Sequence, residues 1–156
     1  MGKGEGGGVD SFVGKSINVF FDPKDFTTQA NVSFSDTHAD DAAIKISHEG
    51  SHVHDAKHFL NTGQNTSRFD TELKAFKVES VMAEVVGYKD YPVYTANGDS
   101  ALNIYKVSWT EADKKNFSVV RKEREEAIKT FLKIPESQGG LYGLTSASDG
   151  GPAWKR

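Results

Sequence analysis

Two stretches near the start of the chain have the alternating pattern of half-buried strands. Apolar and polar residues alternate over residues 15–21, where Ile17, Val19 and Phe21 would share one face. A shorter and more polar alternation over residues 29–34 predicts a second strand. Residues 22–25, between the two stretches, are predicted to form a turn, because proline presets the backbone angle that a turn requires.

Two longer stretches have the 3.6-residue period of amphipathic helices. The first helix is predicted over residues 39–60, preceded by capping side chains at residues 35–37. The second is predicted over residues 67–87, where Gly87 would end it. The predicted buried residues of the first helix are Ile44, Val53, Ala56, Phe59 and Leu60. Those of the second helix are Phe69, Leu73, Phe76, Val81, Met82 and Val85.

The second half of the chain predicts a hairpin, a third helix and an irregular tail. Asn97 and Gly98 lie between two apolar runs, and an Asn-Gly pair in that position favours a tight hairpin turn. A Ser-x-x-Glu capping box at Ser108 opens a helix that runs to about residue 133. Its many Lys, Arg and Glu residues are expected to form a solvated face with internal ion pairs. Residues 136–156, rich in Gly and Ser, should lie over the body as an irregular strap.

These elements predict one α+β domain after a short leader. The chain has 156 residues, enough for a single hydrophobic core, and its 37% hydrophobic and 26% charged residues are typical of a globular protein. Residues 1–10 are rich in glycine and are interpreted as a flexible leader, so the domain should span residues 11–156. We expect a short mixed or antiparallel sheet packed on the first two helices, with the third helix C-terminal to both.

Charge and composition exclude several classes of partner and site. A net charge of −3 gives no reason to expect nucleic acid or an anionic membrane as partner. The sequence contains no apolar run long enough to span a bilayer, and its N-terminus lacks the apolar core of a signal peptide. Because there are no cysteines, a metal site would need His and carboxylate ligands, which favours catalytic over structural zinc.

The first predicted helix carries a His-Glu-x-x-His motif. His48 and His52 are four residues apart, so a helix presents both imidazoles on one face, where they could bind one divalent cation. Glu49 would lie close enough to that cation to hold a water beside it and take its proton. The motif is a known zinc-protease signature, and the alternative is an ordinary amphipathic helix with solvated His and Glu. Gly50, inside the helix, would suit a close approach by another element.

Glu72, on the second predicted helix, is the candidate third ligand. It follows His52 by 20 residues, enough for one helix to end, a loop to turn and the next helix to return. Glu72 shares a helix face with Phe76, so it should point inward, where a carboxylate needs a compensating cation. Glu79, one heptad further along that face, is the reserve candidate for third ligand.

Several other polar residues near the motif have less defined roles. Asp55 lies on the ligand face of the helix and could either orient a ligand histidine or be an ordinary surface carboxylate. His54 and His58 turn away from that face and are expected at the surface. A tyrosine could help to stabilise an oxyanion. The sequence does not choose among the candidate tyrosines Tyr88, Tyr91, Tyr94, Tyr105 and Tyr142.

With His48, Glu49, His52 and Glu72, the chain resembles the gluzincin branch of the zincin metallopeptidases. That family places the His-Glu-x-x-His motif on one helix and a ligand glutamate on the next, and the match covers residues 31–87. The chain also looks like the short metallopeptidase-type domains at the C-terminal ends of bacterial polymorphic toxins and secreted effectors. One position departs from the pattern, because many gluzincins have a histidine-orienting aspartate where this chain has Phe76.

The resemblance implies a small zincin-like domain that hydrolyses peptide bonds with the help of Zn²⁺. His48, His52 and Glu72 would bind the metal, and Glu49 would be the general base that activates a water bound to it. The resemblance further implies a protein or peptide substrate, a secreted or delivered effector role, and an inhibitor or immunity protein as candidate partner. We expect a monomer. The alternatives are a catalytically inactive zincin-fold metal-binding module, a metal enzyme acting on another amide or a small molecule, and a metal-free interaction domain.

Overall fold

The computed structural model describes residues 8–13, 16–21, 36–87, 93–94, 100–102, 117–138, 142–144 and 152–154. These residues form a small α+β domain with three α-helices and two two-stranded antiparallel sheets, which confirms the predicted class. The elements in chain order are β1 (Gly8–Val13), β2 (Ser16–Phe20), α1 (Asp36–Thr62), α2 (Arg68–Val85), β3 (Val93–Tyr94), β4 (Ser100–Leu102) and α3 (Phe117–Leu132). A 3-10 helix at Glu136–Gln138 follows α3.

The first sheet is a hairpin of β1 and β2. Strand β2 confirms the strand predicted from the alternating pattern, and its partner β1 lies in a stretch for which no strand is predicted. Because β1 begins at Gly8, the predicted end of the leader at residue 10 falls inside a strand. A Cβ at Gly8 would lie 2.6 Å from Cζ of the exposed Phe20 ring, so a larger residue there would have to displace that ring. The strand predicted at residues 29–34 lies outside the described residues.

Helix α1 begins at Asp36, three residues before its predicted start, and ends at Thr62. Gly63 follows with a φ of 72°, a conformation that favours glycine at the end of a helix. The predicted inward face is confirmed: Ile44, Ala56 and Phe59 are buried, and Val53 and Leu60 are half-buried. The same face also buries polar side chains, which include both histidines of the motif.

Helix α2 runs antiparallel to α1 after a short loop and turns a partly polar face inward. Its N-cap is Ser67, whose Oγ accepts a 3.0 Å hydrogen bond from the backbone N–H of Asp70. The prediction that Val81 and Val85 belong to the core is wrong, since these side chains are 44% and 74% exposed. Contacts with α1 and α3 instead turn another face inward, on which the buried residues are Phe69, Thr71, Ala75, Phe76, Glu79, Ser80 and Ala83.

Helix α3 completes the hydrophobic core and ends at Leu132, close to its predicted end. Its predicted first residues, from Ser108, lie outside the described part of the chain. The expected ion pairs on its charged face are present: Lys129 Nζ lies 2.9 Å from a carboxylate oxygen of Glu125 and of Glu126. The core between α2, α3 and the tail consists of Phe69, Phe76, Ile128, Phe131, Leu132 and Leu144.

The remaining described segments are a second hairpin and parts of the tail. Val93 pairs with Leu102 in β3 and β4, which confirms the predicted hairpin, although its turn lies outside the described residues. Leu144 is buried in the core and Pro152 bridges to Ser67, so the described tail residues lie over the body as predicted. No helix in the described ranges is long and apolar enough to cross a membrane.

Candidate metal centre

The antiparallel packing of α1 and α2 brings the three predicted metal ligands together. His48 Nε2 and His52 Nε2 lie 3.1 Å apart. Glu72 Oε2 lies 3.5 Å from His48 Nε2 and 3.6 Å from His52 Nε2. These three atoms define a ligand triangle, and among the described residues no fourth His, Cys, Asp or Glu belongs to the group. Glu49 is outside the triangle, as expected of a base that does not bind the metal.

The dimensions of the ligand triangle suit a tetrahedral zinc ion. Zinc–nitrogen and zinc–oxygen bonds are about 2.0–2.2 Å long, so the donor atoms of a regular tetrahedron lie roughly 3.3–3.6 Å apart. The observed edges of 3.1, 3.5 and 3.6 Å lie within about 0.2 Å of this range. Two neutral nitrogens, one carboxylate oxygen and a free fourth position are also the usual ligand set of catalytic zinc.

Two buried carboxylate oxygens at this site are left without partners that would satisfy them. Glu72 Oε2 is buried and makes no hydrogen bond within the described structure, since its distances to the imidazoles exceed normal hydrogen-bond lengths. Glu49 Oε2 is buried and likewise has no hydrogen-bond partner among the described residues. Unsatisfied buried carboxylates are strongly unfavourable unless a cation compensates them. The residues present therefore fit a divalent metal.

Glu79 holds His48 in place from the side opposite to the ligand triangle. Its Oε2 accepts a 2.6 Å hydrogen bond from His48 Nδ1, and both side chains are buried. This bond fixes the proton on Nδ1 and leaves the Nε2 lone pair for a metal. Glu79 thus contacts Nδ1 of His48 and is not part of the group of candidate ligand atoms, contrary to its prediction as the reserve third ligand. The ring of Phe76, at the position where many gluzincins have an aspartate, packs edge-on against His48, with ring centroids 4.6 Å apart.

The charges of the site affect one another strongly. Burial opposes the positive charge of His48, but the nearby carboxylates of Glu72 and Glu79 outweigh it and raise the pKa of His48 to about 10. Burial alone would raise the pKa of Glu72, but its interactions with His48 and His52 lower it to about 2. Burial raises the pKa of Glu49, against the opposing influence of the two histidines. Without a metal, a proton on His48 thus takes the place of the cation.

Asp55 does not orient a ligand histidine, contrary to one of its two predicted roles. Its carboxylate accepts a 2.7 Å hydrogen bond from Thr71 Oγ1 and forms a close ion pair with Lys74 Nζ. Thr71 and Lys74 both lie on α2. Burial would raise the pKa of Asp55, but the bonds from Lys74 and Thr71 outweigh it and lower it. Nor is Asp55 an ordinary surface carboxylate, because it is buried and connects the two ligand-bearing helices.

The other candidates divide into exposed, packed and undescribed residues. His54 and His58 are exposed, as predicted, and His58 Nε2 lies 3.2 Å from Gln64 Oε1. Tyr142 packs edge-on against Phe76, with ring centroids 5.7 Å apart. The side chains of the other four candidate tyrosines lie outside the described part of the structure. The prediction that another element approaches Gly50 closely is wrong for the described residues, since a Cβ there would have no neighbour within 4 Å.

Sequence reasoning missed Trp154, whose ring lies 6.5 Å from that of His52. No local signal pointed to it, since Trp154 and His52 are far apart in the chain and the tail has no periodic pattern. Comparison of the chain with protein-family models, curated proteins and solved structures finds no match. Any assignment of activity therefore depends on the chemistry of the site.

Proposed function

We propose that this chain is a zinc-dependent hydrolase of peptide bonds. The observation that carries the proposal is the convergence of three ligand atoms, from His48, His52 and Glu72, within 3.6 Å of one another beside the glutamate Glu49. Two imidazoles, a carboxylate and an open fourth position form the ligand set of zinc hydrolases. A secreted or delivered effector role, with an inhibitor or immunity protein as partner, stays a prediction from the family resemblance.

Each residue of the site has a separate task in this proposal. His48, His52 and Glu72 would hold zinc, and Glu79 would keep His48 in the tautomer that presents Nε2. When bound, zinc would polarise the scissile carbonyl and make a water acidic enough to attack it. Asp55, Thr71 and Lys74 fix the distance between the two helices, and therefore the position of Glu72 relative to the histidines.

Glu49 would move the proton during the reaction. It takes a proton from the attacking water as the oxygen–carbon bond forms, and it delivers that proton to the leaving nitrogen as the carbon–nitrogen bond breaks. A base works best when its pKa lies near the working pH. The pKa of Glu49 is raised by burial, which favours this exchange in both directions.

The decisive experiment compares metal content and turnover in the wild type and in Glu49→Gln. We expect both proteins to bind one zinc per chain, measured by elemental analysis, because Glu49 is outside the ligand triangle. Cleavage of a peptide library should fall by about 10³-fold or more in Glu49→Gln, since loss of general-base catalysis typically costs 10²–10⁴-fold. Glu126→Gln is the matched control, because Glu126 is exposed on α3 and should not matter.

Three results would overturn the proposal. Equal turnover in the wild type and Glu49→Gln would remove Glu49 as the base, and absence of bound zinc would remove the metal centre. Stoichiometric zinc without hydrolysis of any peptide by the wild type would instead favour a metal-binding module or a different amide substrate.

A further inference from the structure

The tail is fastened to the loop that joins the two ligand-bearing helices. The backbone N–H of Trp154 donates to Asn65 Oδ1 at 3.1 Å, and Asn65 Nδ2 donates back to the carbonyl oxygen of Trp154. Next to this pair, the N–H of Ala153 donates to the carbonyl oxygen of Thr66 at 2.9 Å. Pro152 forms a β-bridge with Ser67. Three consecutive tail residues are therefore held against three consecutive positions of the loop and the N-cap of α2.

This attachment places the ring of Trp154 beside the ligand triangle. The indole and the imidazole of His52 meet edge to face, with centroids 6.5 Å apart and planes inclined by 69°. Trp154 is half-buried, with its Nε1 atom buried, so part of this residue remains accessible next to a buried ligand. The aromatic ring on the other side, Phe76 against His48, belongs to the closed core. Of these two rings, Trp154 is therefore the one that a bound molecule could touch.

We infer that Trp154 forms the wall of a substrate subsite beside the metal, which takes an aromatic or large apolar side chain next to the scissile bond. The inference rests on the proposed function, because it assigns a substrate class to the same site. Indole is a large and rigid surface that prefers aromatic and apolar neighbours. The hydrogen bonds of Asn65 hold the backbone of Trp154 in place, so little order is lost when a substrate binds.

Binding of two hydroxamates to the zinc-loaded protein tests the subsite without requiring turnover. Acetohydroxamate carries the zinc-binding group alone, whereas 3-phenylpropionohydroxamate adds a phenyl ring. We expect the wild type to prefer the phenyl compound, and Trp154→Ala to reduce the affinity for it by about tenfold while changing that for acetohydroxamate less than about twofold. Trp154→Phe should keep most of the preference. Calorimetric titration gives both dissociation constants.

A second pair of variants tests whether the attachment positions the ring. Asn65→Ala removes both side-chain bonds to Trp154 and should lower the affinity for the phenyl compound severalfold. Gln64→Ala, the neighbouring exposed residue, contacts His58 instead and should change neither compound. These variants, with Trp154→Phe, also give the answer if Trp154→Ala does not fold, which a circular dichroism melting curve would show.

The outcomes separate this inference from the proposed function. Selective loss of the phenyl compound in Trp154→Ala supports the subsite even if the wild type cleaves no peptide. No preference for the phenyl compound in the wild type, or equal losses for both compounds in Trp154→Ala, overturns the subsite. Peptide cleavage that ignores aromatic and large apolar residues would overturn it as well, while leaving the hydrolase proposal intact.

Discussion

The two ends of α2 both bury charged groups but balance them differently. Near its C-terminal end, Glu84 accepts two hydrogen bonds of 3.3 Å from Arg124, a residue of α3 that is only 7% exposed. Nearer its N-terminal end, the carboxylate of Glu72 faces the imidazoles of His48 and His52. Glu79, between Glu72 and Glu84 along the helix, faces His48. At its C-terminal end, α2 thus meets a permanently charged arginine of α3. Nearer its N-terminal end, its carboxylate meets imidazoles that can lose their positive charge.

This difference separates the charged groups that support the fold from those that can bind a metal. A guanidinium keeps its charge at every physiological pH, so the Arg124 pair is a fixed connection between α2 and α3. An imidazole can release its proton and present a lone pair instead. Asp55 is likewise paired with a cation of the chain itself, the ammonium group of Lys74. Among the described residues, the acidic groups beside the ligand triangle have no Lys or Arg partner, so a proton on His48 or a bound metal ion would have to supply the positive charge there.

The largest expected effect distinguishes the carboxylates at the two ends of α2. Glu72→Gln should weaken zinc binding by more than about 100-fold, since loss of a ligand's hydrogen-bond partner alone typically costs 10–100-fold. Glu84→Gln should keep the zinc affinity but lower the free energy of unfolding by about 1–3 kcal/mol, because it leaves Arg124 buried with a weaker partner. Competition with a chelator and urea unfolding measure the two quantities. Zinc binding by Glu72→Gln at wild-type strength would contradict the assigned ligand set.

The pH dependence of zinc binding should reflect the proton on His48. Because its pKa in the metal-free protein is about 10, zinc must displace a proton below that pH, and the apparent affinity should rise about tenfold per pH unit from pH 7 towards 10. The stability of the metal-free protein should instead fall as the pH rises. The raised pKa of His48 contributes stability that is complete below its unfolded value of 6.5 and is lost as the pH rises towards 10.

Thermal melting of the zinc-loaded and metal-free proteins between pH 6.5 and 9 tests whether zinc affinity rises while the stability of the metal-free protein falls. The difference between the two melting temperatures should widen as the pH rises, in the same buffer and at the same free zinc concentration. A constant difference across this range would show that no proton competes with the metal at His48.

A smaller effect is expected from Glu79, which contacts a ligand and not the metal. Glu79→Gln keeps the shape of the side chain but removes the charge that holds His48 Nδ1–H, so zinc affinity should fall by roughly 10–100-fold. Glu123→Gln, on the exposed face of α3, is the matched control. An unchanged affinity in Glu79→Gln would mean that His48 needs no carboxylate to present its Nε2.

The smallest effects are expected from substitutions of two glycines, which should change the stability of the fold but not the affinity for zinc. Gly50→Ala should raise the free energy of unfolding by about 1 kcal/mol, since alanine is the better helix former and a Cβ at Gly50 meets nothing within 4 Å among the described residues. Gly87→Ala should lower it, because Gly87 has a φ of 86°, which alanine rarely adopts. Zinc affinity should not change in either variant. Loss of zinc in Gly50→Ala would imply that an undescribed segment packs there.

The features that the sequence predicted well depend on short separations along the chain. A helix repeats every 3.6 residues, so the four-residue spacing of His48 and His52 already places both imidazoles on one face. The end of α2 next to Gly87 and the second hairpin follow likewise from local backbone preferences. Family resemblance singled out Glu72, and its place on the inward face agreed with the helical period.

Only the tertiary structure decided which side chains meet across elements. Glu79 reaches His48 from 31 residues away, and Asp55 turns to Lys74 rather than to a candidate ligand histidine. Two valines of α2 are exposed because its rotation is set jointly by α1 and α3, and this rotation cannot be read from the apolar pattern of one helix. Trp154 contacts His52 because the tail folds back onto the loop. Such contacts depend on how separate elements pack, and packing energy is not encoded in any single stretch of the chain.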